Sequence, residues 1–328
     1  YDLELKNQTI GNFNNYRIAN TTNFINLCNT IYYDSRVDVF LFSLYFKLAN
    51  NIPNDIDLSE QWYLDRLDVF EAWDLTVGSE DVIVAVIDDG LFLNHDDIGS
   101  DDEILENIFH NSGEDAWDYW FDPESGNNID DDANDKIDDW KGWNFENYIS
   151  IFPYYEQNNN VIPEFEWSFH GTAVSGIISA KRNNLMDVAG ISGGDYNETK
   201  GGVKILPIKM FDWQWNSFYQ EWLLVGASDE LPSMFEYANE MGAKIVNMSI
   251  GLPSLGGQTY LNIEEALEDA YINNGILFVA AAGNDFQSNY VSYPASNQYV
   301  IAVGATDQND EDADFSNNGD ELELAAPG

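Results

Sequence analysis

Residues 82–87 are all apolar, and the run stops at Asp88, Asp89 and Gly90. A short apolar run closed by turn residues predicts a strand buried on both faces, the kind found inside a parallel sheet. Further along, the pattern alternates. Residues 203–210 read as a strand, 232–242 as a helix closed by glycine, 244–251 as a strand and 263–272 as a helix. Residues 276–285 read as a strand running into a polar tip, and 299–304 as the last strand. Strands separated by helical stretches imply right-handed crossovers. The predicted fold class is therefore α/β, a mostly parallel sheet with helices on both faces.

The first 55 residues differ in character. They are Asn-rich, with an apolar-periodic stretch around residues 24–28 and a strand-like run at 37–42. Asn and Pro then cluster at 50–55, which reads as a linker. Two parts are expected: the end of a small first domain in 1–55, and a main domain in 56–328. No Met and no signal-peptide pattern opens the chain at Tyr1, and Ala325, Ala326, Pro327 and Gly328 close it without helix or tail. The expectation is a piece of a longer protein at both ends. No apolar run approaches the roughly 20 residues that cross a bilayer, so no transmembrane segment is predicted.

Charge narrows the partners. Acidic residues number 58 and basic residues 13, a net charge of −45. Nucleic acid and anionic membrane surfaces would repel such a chain. The densest acid lies in residues 126–139, where Asp130, Asp132, Asn134, Lys136 and Asp138 fall at alternate positions. Ca²⁺ gathers six to eight oxygens and can draw them from one such loop. It is not an EF-hand, because the sixth position is Asp135 rather than Gly and the twelfth is Lys141 rather than Glu. The loop is expected to hold calcium, since so much like charge frays without a cation. Cys28 is the only cysteine, so no internal disulfide forms.

The candidate chemistry begins at Asp88. Ligands and reactions gather at the carboxyl ends of strands in open α/β sheets. A carboxylate carried there through an apolar run costs several kcal/mol unless a donor or a cation meets it. His170 is the candidate partner. It precedes Gly171, Thr172, Ala173, Val174, Ser175 and Gly176, small residues and helix formers that let a helix press closely onto a sheet. A general base needs a neutral, oriented ring, and a buried carboxylate supplies the orientation. Of the other histidines, His95 lies in a polar loop, and His110 sits in an acidic context without a recognisable partner.

These segments, in order, resemble the signatures of the subtilisin-like serine proteases, the subtilases. They are residues 84–90, 170–176, 247–251 and 280–284, followed by Tyr293, Pro294 and Ala295, by 300–305, and by Ala326, Pro327 and Gly328. The resemblance implies a subtilisin-like sheet and a secreted or cell-surface endopeptidase acting on polypeptides. Asp88 would orient His170, His170 would act as general base and then general acid, and Asn284 would donate to the oxyanion. Ser249, Ile250 and Gly251 would pair with an extended substrate, and Ala281, Ala282 and Gly283 would wall the pocket opposite. Residues 1–55 would be the C-terminal part of a small α+β propeptide that inhibits the enzyme until it is cut away. Calcium would tighten the fold outside the cell.

Two departures stand out. The family's Gly-Thr-Ser-Met-Ala-type nucleophile motif occurs nowhere in the 328 residues, so the Ser is expected beyond Gly328 and the fragment alone is expected to be inactive. Asp89 replaces the more usual Ser or Thr and sets a second negative charge beside Asp88. The competing reading is an inactive relative kept as a calcium-binding surface module. A phosphoryl-transfer site at Asp88 lacks both a second Asp and a phosphate loop. A carboxylate pair of Asp88 and Asp89 fails because adjacent strand residues point to opposite faces.

Overall fold

The computed structural model describes residues 3–5, 16–18, 52–99, 106–146, 157–216, 220–252 and 257–328. The chain divides into two compact units, 1–50 and 51–328. In the first, β1 (Leu3–Leu5) and β2 (Tyr16–Ile18) pair antiparallel. The stretch expected around residues 24–28 and the strand expected at 37–42 lie outside the described residues.

The second unit is built on a seven-stranded sheet. In chain order its strands are β3 (Ile83–Asp88), β4 (Trp143–Asn144), β7 (Lys204–Lys209), β10 (Ile245–Met248), β11 (Leu277–Ala281), β12 (Val300–Thr306) and β13 (Leu324–Pro327). A small antiparallel pair, β5 (Gly194–Asp195) and β6 (Lys200–Gly201), precedes β7. A hairpin of β8 (Phe211–Asn216) and β9 (Glu221–Gly226) follows it. The sheet order is β13-β12-β11-β10-β3-β7-β4, and every pair within it is parallel. The fold class predicted from the alternating pattern is the one found.

Two short helices, α1 (Tyr63–Arg66) and α2 (Val69–Ala72), lead into β3. Three longer ones, α3 (His170–Ser179), α4 (Leu231–Glu240) and α5 (Gly257–Ile272), make the crossovers. Alternate residues of β3 serve different faces, as the strand period of two requires. Ala85 and Ile87 join one core with Leu231, Met234, Phe235 and Ala238 of α4 and Ile263, Leu267 and Ala270 of α5. Val84 and Val86 join the other, against Val174 and Ile178 of α3. Both faces of the strand are dry, which is why its sequence is an unbroken apolar run.

The differences from expectation have local causes. Helix α5 starts at Gly257, ahead of the predicted 263, because its first turns are mostly exposed, Tyr260 and Leu261 included, and the buried stripe opens only at Ile263. Strands β4 and β13 are two and four residues long, too short to show a pattern. The Trp-rich insert at 211–215 forms strand β8 of a hairpin.

Candidate active site

The register of the sheet sets the site. Ile87 lies opposite Met248, and Met248 opposite Ala280, so β3, β10 and β11 end level with one another. Their carboxyl ends carry Asp88, Ser249 and Ala282 to Asn284, in that lateral order.

Asp88 is 1% exposed. Its Oδ1 accepts the Asp89 backbone N–H at 2.8 Å and lies 2.7 Å from His170 Nδ1. Burial pushes the Asp88 carboxyl up, and the His170 hydrogen bond opposes that push. Asp88 Oδ2 is buried with no hydrogen-bond partner among the described residues. The same hydrogen bond raises the His170 imidazole above its ordinary 6.5, against the desolvation that lowers it. An ionised carboxylate only accepts, so Nδ1 carries the proton and Nε2 of the neutral ring is left with a lone pair. His170 itself is exposed. The pair therefore joins a dry carboxylate to a ring that an incoming group can reach.

His170 begins α3, and its neighbour Phe169 gives the helix no side-chain cap. Asp89 does this from across the site. Its Oδ1 accepts the Gly171 N–H at 2.7 Å, and its Oδ2 accepts Ser168 Oγ at 2.8 Å and the His170 N–H at 3.2 Å. A carboxylate at a helix N-terminus satisfies orphan N–H groups and meets the positive end of the dipole. Gly171 has to be glycine. A Cβ there would stand 2.3 Å from the Gly90 carbonyl oxygen and 3.0 Å from Asp88 Cβ.

The two expected walls of the cleft follow β10 and β11. Met248 and Ala280 are buried anchors, Ile250 is 7% exposed, and Gly251 and Asn284 are exposed. Residues 292–293 tie the walls together, with the Leu252 N–H donating to the Tyr293 carbonyl and the Ser292 N–H to that of Ala282, both at 2.8 Å. Gly283 takes φ +107°, and a Cβ there would meet Ser292 Oγ at 2.3 Å and Asn317 Nδ2 at 2.4 Å. At the base of the hairpin, buried Lys209 donates to Asp212 at 2.6 Å, and Trp213 packs on Trp167 with centroids 5.2 Å apart. The hairpin thus borders the segment that leads into His170.

The acidic loop closes differently from its sequence pattern. Oxygens of Glu114, Asp132 and Asp139 lie within 4.8 Å of one another. Of the five alternating positions, Asp132 alone enters this cluster. Asp130 accepts the N–H groups of Asn134 and Asp135, and buried Asp138 accepts those of Asn127 and Asn128. The Asn134 amide donates to Asp132 and Asp139 at 3.3 and 3.2 Å. Lys136 turns its ammonium to the Tyr237 ring, 5.1 Å from the centroid, so its side chain is no ligand. Glu114 and Asp139 are the members sequence spacing could not supply. Burial, followed by the neighbouring carboxylates, pushes both carboxyls up. Three hard oxygen donors, two of them on buried residues, are of the kind a divalent cation draws on and would fill part of calcium's shell of six to eight oxygens.

His95 accepts the Asp97 N–H at 3.3 Å within its own turn. His110 does have a partner, contrary to expectation. Its Nε2 lies 2.6 Å from buried Glu106, whose other oxygen takes Lys141 at 2.5 Å. Neither histidine stands at the carboxyl ends of the central strands.

Residues 79–328 match the sequence profile described as the subtilase family. An extracellular protease of Xanthomonas campestris pv. campestris is 32% identical over 289 residues, 85% of this chain and 43% of that protein. Thermitase of Thermoactinomyces vulgaris is 28% identical over 277 residues, 84% of this chain and 73% of that one. A cell wall-associated protease of Bacillus subtilis is 37% identical over 172 residues, and the match spans 16% of its length. The chain therefore covers less than half of some of these relatives. Among solved structures, a protease of Pseudoalteromonas arctica superposes with a TM-score of 0.59 at 22% identity, over 84% of this chain and 72% of that one.

Proposed function

Because the chain belongs to the subtilase family, we propose that the whole protein is a secreted serine endopeptidase cleaving peptide bonds of polypeptide substrates. Its nucleophile is a Ser carried beyond Gly328, since the family's Gly-Thr-Ser motif is absent from these residues. The observation that carries this reading is the 2.7 Å contact between His170 Nδ1 and the buried Asp88 carboxylate. It stands two strands away from the loop of Asn284.

In this mechanism Asp88 holds the Nδ1–H and stabilises the imidazolium. His170 Nε2 takes the proton of the serine and returns it to the leaving amine. Asn284 donates its amide to the tetrahedral oxyanion. Losing one such donor costs about 2.7–4 kcal/mol, a magnitude known from subtilisin itself and carried over here. An extended substrate adds as a strand between residues 249–251 and 281–283. Residues 1–55 are the C-terminal part of an inhibitory propeptide that is cut away near the linker.

Calcium completes the proposal. Glu114, Asp132 and Asp139 would hold it, and the ion would supply charge neutralisation to a loop that like charges otherwise push apart. Secretion is supported by the extracellular protease among the relatives, and no described helix is long and apolar enough to cross a membrane.

The test uses the full-length protein and a serine-directed phosphonate. One covalent adduct, lost in His170→Ala, together with a fall in peptide hydrolysis in Asn284→Ala, is the expected result. No adduct, with hydrolysis indifferent to Asn284→Ala, would overturn the reading and leave the calcium-binding surface module.

A further inference from the structure

Asn284 is exposed, and the reaction asks it to hold one amide at a fixed point. The backbone on either side of it therefore needs a rigid mount. Asn317 is 0% exposed and lies in the segment that follows β12. Its Oδ1 accepts the N–H groups of Asp285 and Gln287, each at 3.0 Å. Its Nδ2 faces the Ala282 carbonyl at 3.3 Å, Ser292 Oγ at 3.2 Å and Asp285 Oδ2 at 3.4 Å. Its own N–H donates to the Gly283 carbonyl at 2.9 Å. One residue thus grips the chain before Asn284 and after it.

A carboxamide is the only short side chain that suits both sides. It offers an acceptor with two lone pairs on one edge and two N–H donors on the other. Aspartate would accept from Asp285 and Gln287 but could not donate to Ala282, and serine could not span the loop. The space is taken on both sides as well. A Cβ on Gly283 would collide with Asn317 Nδ2 and Ser292 Oγ, so the glycine is bare where the amide sits.

We propose that Asn317 is the positioning residue of the oxyanion loop, holding the backbone on both sides of Asn284 so that its amide meets the developing charge. The inference rests on the protease reading above and adds to it a residue that does not touch the substrate. A buried asparagine that merely stabilises a loop would cost folding stability alone. One that positions Asn284 is coupled to it.

The experiment is a double-mutant cycle in the full-length protein, followed by peptide-amide hydrolysis and by hydrogen exchange. Asn317→Ala should lower kcat by about 10-fold or more with KM nearly unchanged. In an Asn284→Ala background the same change should cost less than about 2-fold, because the group it positions is gone. Exchange at the Asp285 and Gln287 amides should quicken in Asn317→Ala. Equal losses of kcat in both backgrounds, or unchanged exchange, would overturn the proposal. If Asn317→Ala does not fold, Ser292→Ala removes one acceptor of the carboxamide and should lower kcat in the same direction by less; an unchanged kcat would count against it. A wild type without peptidase activity would sink the protease reading, while faster exchange in the variant would still support the mount.

Discussion

Asp89 shows what a single side chain does at this site. A hydroxyl in its place would still accept an N–H at the start of α3, but it would bring no charge. The Asp89 carboxylate adds to the effect of Asp88 on His170, and both raise the imidazole. A base must be neutral to work, so a raised imidazole places the acid limb of the activity above the ordinary 6.5. Removing the Asp89 charge lowers the imidazole, and Asp89→Ser should move the acid limb of kcat/KM to lower pH with kcat at the plateau little changed. A pH profile of the full-length protein that does not move would refute this. Asp88→Asn is the sharper case. Its amide presents a donor to Nδ1 and turns the ring to the wrong tautomer, so kcat should fall by about 10⁴-fold. Asp88 and His170 were legible because each closes or opens a distinctive run. Asn317 was not, since one of two adjacent Asn in the polar stretch 316–319 carries no pattern until the fold bonds it to Asp285 and Gln287, beside Asn284.

The element that matters most is α3, which must lie close enough to β3 for His170 to reach Asp88. Small residues in the sequence predicted that approach, and Gly171 shows how tight it is. With a carbonyl oxygen 2.3 Å from where its Cβ would be, Gly171→Ala has to push the helix away. Overpacking of this kind costs about 1–3 kcal/mol, or roughly 2–10 °C in Tm for a unit of this size. The same shift stretches the bond from Asp88 to His170, so activity should fall further than stability does. A Gly171→Ala protein that melts as the wild type does and keeps full kcat would show that the helix has slack. Sequence periodicity found such elements wherever one face is dry and lost them where it is not. Helix α5 is visible from Ile263 onward, and its exposed first turns are not. The same limit hid β4 and β13, whose few residues span no full period.

At the scale of the whole molecule, −45 charges repel one another, and calcium and salt could both relieve them. The two effects separate cleanly. Screening acts on every exposed charge and grows with ionic strength of any kind, over a Debye length of about 8 Å at 0.15 M. A bound ion acts on Glu114, Asp132 and Asp139, whose oxygens are gathered within 4.8 Å, and it saturates. The density of acid in 126–139 was enough to point to a cation. The identity of the oxygens was not, because Glu114 and Asp139 come from opposite ends of a loop that the sequence does not close. Titrating calcium into the chelated protein at constant ionic strength should raise Tm along a saturating curve. At 100 times Kd the gain is about 2.7 kcal/mol, or roughly 5–10 °C. Asp139→Asn should abolish most of that rise and leave the response to NaCl intact, whereas Asp130→Asn, outside the cluster, should retain most of it. A calcium response no larger than that of NaCl, or one equal in Asp139→Asn and the wild type, would assign the whole effect to screening and leave the three carboxylates without an ion.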